Sequence, residues 1–190
     1  MRCRRPDVAF WNVPSDKRYP PEKLVSYDLA WVKRYQQLAN ALTHALGAGW
    51  SIEHVGSTSV PGLVAKPVID LALRTPQGED LHRWAPVFHA LGWSDPVSTG
   101  DHHALFLVNG GVRTAIAHVF TAEQWAQAHL RLFADWLRTH PVEREEYARL
   151  KSHLGEHGFW GTAYTDGKTS FVQGVVNRAR AARGLAPIAL

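Results

Sequence analysis

Between Ser51 and Leu73 the chain reads SIEHVGSTSVPGLVAKPVIDLAL, and this stretch constrains the fold more than any other. It has the pattern of a strand, a sharp turn, a short amphipathic segment and a second strand. Ile52 and Val55 flank the polar pair Glu53-His54, and Gly56-Ser57-Thr58-Ser59 then places four small residues in one turn. Small residues let the backbone come close to a ligand, because little or no side chain intervenes. A helix beginning near Ser57 would turn free N–H groups and the positive end of its dipole toward an anion such as phosphate. Lys66 adds a cation to the same segment, and Val68-Ile69 leads Asp70 into the apolar run Leu71-Ala72-Leu73. A carboxylate among apolar strand neighbours is costly unless it has a partner or a metal ion. A plainer reading stays open beside this one: Ser57, Thr58 and Ser59 cap a helix, Lys66 is solvated, and Asp70 is paired with a Lys or Arg.

The rest of the chain supplies elements to pack on that unit. Asp28 is a good N-cap for a helix to about Leu46, with Trp31, Tyr35, Leu38, Leu42 and Leu46 on one core-facing stripe. After Thr75-Pro76-Gln77-Gly78, a helix is expected near Leu81 to Leu91, then a short strand from Trp93 to Val97. His103 to Val108 and Val112 to Phe120 flank Asn109-Gly110-Gly111, a strong hairpin signal. Strict alternation in the second of these strands puts Thr114, Ile116 and His118 on one face and Arg113 on the other. Thr121 can cap a helix through Leu137 carrying Trp125, Leu132 and Trp136. Pro141 suits the first turn of the next helix, which buries Tyr147, Leu150 and Leu154. Asp166 can start the last helix, whose face is Phe171, Val172, Val175, Val176 and Ala179. His54 beside Glu53 has the pattern of a core histidine as much as a ligand. His102 and His103 are adjacent on an extended segment and face opposite ways, which argues against a metal shared by the two.

Composition narrows the class. The chain has 190 residues, 45% of them hydrophobic and 11% aromatic, which suits one folded domain of ordinary size. Its single cysteine, Cys3, excludes a disulfide framework or a Cys-based zinc site and fits a reducing, cytoplasmic setting. No apolar run approaches the ~18 residues of a membrane span, and MRCRRPDVAFWNVP lacks the apolar core of a signal peptide. The net charge of +4 permits an acidic small molecule or nucleic acid without demanding either. Residues 1–23, with Arg2, Arg4, Arg5 and several prolines, form an irregular arm, in which Phe10-Trp11 could dock on the body or on a second subunit of a homodimer.

Four ordered blocks carry a family resemblance. They are EHVGSTSVPGLVAKPVID, VSYDLAWVKRYQQL from Val25 to Leu38, RTAIAHVF from Arg113 to Phe120, and AYTDGKTSFV from Ala163 to Val172. Together they span Leu24 to Ala182, and the chain resembles the GrpB family of the nucleotidyltransferase superfamily, which has a polymerase-β-like fold. The resemblance implies an α/β (α+β) fold: a small mixed sheet with packed helices, then a helical C-terminal part, all in one domain over residues 24–190.

In that superfamily a Gly-Ser pair holds the triphosphate, and acids on the following strand bind magnesium or manganese. The resemblance therefore implies that Gly56, Ser57, Thr58, Ser59, Lys66, Arg113 and Lys168 bind phosphate, that Asp70 binds the metal, and that Asp70, Ser57, Lys66 and His118 carry catalysis. The sequence departs from the superfamily pattern at two points. Ala72 stands where a second acid is expected, and His118 where a third is. One Asp and one His make a poor magnesium site. Two functions follow. The first is transfer of a nucleotidyl group from a nucleotide to a small molecule. The second is a non-catalytic or differently catalytic pocket for a nucleotide, coenzyme or RNA, with nucleic acid not favoured as partner. A serine hydrolase has the right residue types in Ser57 or Ser59, His118 and Asp70, but the G-x-S-x-G frame is absent.

Overall fold

The computed structural model describes Tyr19, Pro20 and residues 23–190. Most of the expected N-terminal arm, including Phe10-Trp11 and the arginines, therefore lies outside the described residues. Helix α1 (Ala30–Leu46) is capped as its sequence predicts: Asp28 Oδ1 accepts the Ala30 amide at 2.8 Å. Its stripe buries Trp31, Leu42 and Leu46, with Tyr35 and Leu38 packed at the edge of the same core. Gly47, at φ 75°, ends it.

Strands β1 (Ser51–Val55), β2 (Ile69–Arg74), β3 (Val97–Ser98), β4 (His103–Asn109) and β5 (Val112–Phe120) form one sheet in the order β1-β2-β5-β4-β3. β2 and β5 pair in parallel and every other neighbour is antiparallel. A parallel pair needs a long crossover. Here it contains a 3₁₀ turn at Leu81–Trp84, helix α2 (Ala85–Ala90), β3 and the β4–β5 hairpin through Gly110 and Gly111.

The two faces of the sheet differ in kind. Ile69, Leu71 and Leu73 of β2 join Ala115, Ala117 and Val119 of β5 against Trp31, Leu42, Leu46 and Phe88 of α1 and α2. The opposite face carries Asp70 and Ala72, paired in register with Ile116 and His118. Helices α3 (His129–Thr139), α4 (Pro141–Glu156) and α5 (Thr162–Ala181) build a second core. Phe133, Leu137, Tyr147, Val175 and Val176 pack there around Val60 and Leu63 of the β1–β2 connection. Leu63 is fully buried, and truncating such a leucine to Ala costs about 2–5 kcal/mol. The connection is thus fastened to the helical layer, and a cleft is left between that layer and the polar sheet face.

Several local expectations are corrected. Ser57 opens no α-helix: the turn is a 3₁₀ segment of three residues, Ser57–Ser59, stopped before Pro61 and by Gly62 at φ 79°. The Trp93–Val97 strand shrinks to Val97–Ser98 with a lone bridge from Trp93 to Leu107. Thr121 does make a capping box, its amide donating to Gln124 Oε1 at 2.8 Å and its hydroxyl accepting from the Gln124 amide at 3.3 Å. The box opens only a 3₁₀ turn at Trp125–Gln127, and α3 starts anew at His129 because Ala128 is extended. Trp125 packs instead against Val55, Ala72 and Phe120, under the Arg131 guanidinium 3.9 Å from its ring. Asp166 lies inside α5, which begins at Thr162 after Gly161 at φ 61°.

Arg113 also departs from the alternation. The ladder shifts register between Leu107 and Val108: Leu107 faces Ala115 and Val108 faces Arg113, so Thr114 is the extra residue of a bulge. Arg113 therefore turns to the polar face, where its guanidinium lies 4.2 Å from the Phe106 ring.

Candidate functional site

Asp70 sits on the cleft floor. Its carboxylate packs against Gly56, whose φ of 67° and ψ of −174° suit glycine, and a Cβ added there would fall 2.8 Å from the Asp70 Cβ. The turn beyond Gly56 is held from within and from above. Ser59 Oγ donates to the Gly56 carbonyl at 2.7 Å. Arg138 of α3 donates to the His54 carbonyl at 2.7 Å and the Ser59 carbonyl at 3.2 Å. Ser57 and Thr58 line the cleft together with Lys66, Asp70 and Lys168, as does Lys151 of α4. The opening measures about 160 Å³.

Three lysines meet here. Lys66 lies 4.2 Å from the Tyr164 ring centroid, 4.6 Å from Tyr19 and 5.4 Å from Trp160. Lys168 approaches the same Tyr164 ring at 4.3 Å. Lys151 is 2% exposed and donates to the Val64 carbonyl. Burial, reinforced by neighbouring cations, lowers all three ammonium pKa values, that of Lys168 to about 8 and that of Lys151 well below the usual lysine range. Among the described residues none of the three forms a salt bridge. The Tyr164 hydroxyl, enclosed at the cleft wall, has no hydrogen-bond partner among the described residues. Arg113 stands behind the wall, donating to the Tyr19 hydroxyl at 3.0 Å, and its charge is felt at Lys66.

His118 lies beneath Asp70, with Nε2 3.3 Å from Oδ1. Its Nδ1 meets His102 Nε2 at 3.0 Å, and His102 Nδ1 meets Asp101 Oδ1 at 2.7 Å. The other oxygen of Asp101 lies 3.0 Å from His129 Nδ1. The histidines thus link the cleft to a second opening of about 300 Å³ beside Asp101 and His102. Burial pushes Asp101 up, but hydrogen bonds and charge from His102 and His129 outweigh it and hold the carboxyl below its usual range. His54 belongs elsewhere. It stacks on Tyr35 at 4.6 Å, bonds Thr58 Oγ1 at 3.0 Å, and is driven to a pKa of about 4, chiefly by burial.

The donor set does not suit a two-ion magnesium site. Ala72 is fully buried where a second acid would project. The cross-strand neighbour of Ala72, Glu53, is gripped through both oxygens by Arg131, at 2.7 and 2.8 Å. Among the described residues, Asp70 is the single carboxylate lining the cleft, whereas magnesium calls for a shell of oxygens.

Sequence reasoning missed Lys151, Asp101 and His129. Lys151 had a signal: it falls four residues after Tyr147 and three before Leu154, on the buried stripe of α4. Asp101 and His129 had none, because a loop and a distant helix start bring them together.

A Gly-Ser turn running into an acid-bearing strand, with helices closing over the polar face, is the architecture of the nucleotidyltransferase-like fold. The chain belongs to the GrpB family: the family profile described as GrpB protein matches residues 21–178. A UPF0157 protein of Pseudomonas aeruginosa is 37% identical over 183 residues, covering 93% of this chain and 74% of that protein. The crystal structure of conserved protein GrpB from Enterococcus faecalis superposes with a TM-score of 0.74 at 25% identity, covering 85% of this chain and 99% of that one. Terminal uridylyl transferase 4 from Trypanosoma brucei, with bound dUTP, gives a TM-score of 0.53 at 14% identity over 84% of this chain and 56% of that chain. At that identity the likeness is one of fold.

Proposed function

We propose that the protein binds a nucleotide or another phosphate-bearing small molecule in the cleft between the Ser57–Ser59 turn, Lys66 and Asp70. One observation carries this reading: among the described residues, three lysines, none of them salt-bridged, converge on an opening with a single carboxylate. Burying unpaired ammonium groups is unfavourable, and a polyanion would relieve the mutual repulsion of Lys66, Lys151 and Lys168. The Ser57 and Thr58 hydroxyls and the unpartnered Tyr164 hydroxyl supply neutral donors to the same ligand. Calorimetry of the full chain with ATP, coenzyme A and pyrophosphate tests this. Lys66→Ala and Lys168→Ala are each expected to weaken a bound ligand at least ~10-fold, the usual scale for a charged hydrogen bond. Affinity for none of the three, or affinity indifferent to both substitutions, overturns the reading.

A second reading, nucleotidyl transfer to a small molecule, is favoured by the placement of Asp70 beside Ser57 in the same cleft. It requires release of pyrophosphate when nucleotide and acceptor are both supplied. Asp70→Ala would abolish that release while sparing metal-free binding of the nucleotide. If the wild type binds nucleotide but divalent ions neither change its affinity nor elicit turnover, the protein is a binding domain on this fold and the transferase reading fails.

A further inference from the structure

We propose that Asp101, His102 and His129 form a binding site for one divalent transition-metal ion of the zinc class. The site is separate from the lysine cleft and is not the magnesium position expected at Asp70. One ligand atom from each residue lies within 4.8 Å of the other two. Bonds of about 2.0–2.1 Å to a tetrahedral zinc ion set ligand atoms roughly 3.4 Å apart, and the Asp101 oxygens lie 2.7 and 3.0 Å from the two imidazole Nδ1 atoms, so Asp101 has to move slightly outward from both. Asp101 has room for it: its side chain is 58% exposed and follows Gly100. The two imidazoles are fixed points, with side chains only 6% and 15% exposed. Two imidazole nitrogens and one carboxylate suit zinc and its neighbours and do not suit magnesium.

Two further observations point to a cation. First, the adjoining opening is lined by Glu79, Asp80 and Asp101, with no Lys or Arg among its described lining residues, the reverse of the lysine cleft. It also leaves outer coordination positions accessible. Second, His102 has an outer chain of polar partners: its Nε2 lies 3.0 Å from His118 Nδ1, and His118 Nε2 lies 3.3 Å from Asp70 Oδ1. An outer hydrogen-bond partner is the usual companion of a metal-bound histidine.

The test uses the full chain after chelator treatment. Calorimetry with Zn²⁺ and the visible spectrum of added Co²⁺ are recorded for the wild type, Asp101→Asn and His129→Gln. The wild type is expected to bind one ion per chain and to give the intense bands of Co²⁺ in a low-coordinate nitrogen and oxygen site. Both variants are expected to bind at least tenfold more weakly, and Mg²⁺ is expected not to displace Co²⁺. If the wild type takes up no ion, if both variants bind as well as it does, or if Mg²⁺ competes, the assignment is overturned. Should the variants fail to fold, the wild-type Co²⁺ spectrum decides, because the weak bands of the hexaaqua ion would refute the site.

Discussion

Asp70 and Gly56 are in contact across the β1–β2 junction: the carboxylate occupies the space that a side chain at position 56 would need. The acid is therefore positioned by a missing Cβ as well as by its own strand.

Gly56→Ala is expected to cost about 1–3 kcal/mol, the range for a strained backbone position held against its preference. A denaturant titration measures the loss. Because Asp70 must also move, the melting temperature and the affinity for a phosphate-bearing ligand should fall together. An unchanged melting temperature would show that the close packing is not maintained in solution.

Lys151→Met separates binding from folding. The lysine is buried on an apolar stripe with the Val64 carbonyl as its hydrogen-bond partner. A methionine of similar length keeps the packing and removes the cost of burying an ammonium group. The variant should thus melt no lower than wild type while binding pyrophosphate much more weakly. A variant that melts lower and binds normally would make Lys151 a purely structural residue.

The cleft should lose anion affinity as pH rises from 7 to 9. Lys168, lowered to about 8 by burial first and then by Lys66, sheds its charge in that interval. Stability should move the other way. The unfolded chain holds this proton up to its ordinary value of 10.5, so between about 8 and 10.5 the unfolded state binds more protons and stability climbs with pH. Lys168→Arg should flatten both slopes, and calorimetry and thermal melts across the interval check the pair.

Acid should destabilise the fold through His54. Its folded pKa is lowered from 6.5 to about 4, so the unfolded state takes up a proton first as pH falls through that window. This share of stability is complete above pH 6.5 and declines down to about 4. His54→Phe keeps the stack on Tyr35 and removes the titrating nitrogen. Its stability should fall less steeply with acid than that of the wild type, as read from melting temperatures at stepped pH.

Residue patterns exposed the parts of this fold that local physics governs. The stripe from Trp31 to Leu46 and the face from Phe171 to Ala179 form because one side of each helix is apolar, and Asn109-Gly110-Gly111 turns because glycine accepts positive φ. The parts governed by tertiary contact were hidden. Thr121 and Gln124 form a sound helix start, yet Trp125 packing on Phe120 and Ala72 ends the turn at once. Ser57 looks like a helix N-terminus, and Pro61-Gly62 cuts it to a single 3₁₀ turn. Of the residues assigned to phosphate from the sequence, Ser57, Thr58, Lys66 and Lys168 line the cleft with Asp70. Gly56 and Ser59 shape the turn, and Arg113 reaches that side through a register shift that alternation cannot reveal.

That shift falls two residues before Ile116, which lines the cleft. Arg113 already faces Val108, and Ala115 already faces Leu107, so Thr114 is surplus to the ladder. Shortening β5 by that one residue would leave each cross-strand neighbour in place and remove only the local kink and added twist a bulge brings. The surplus residue thus adds its twist to β5 just before Ile116, the strand's one residue among those described along the opening.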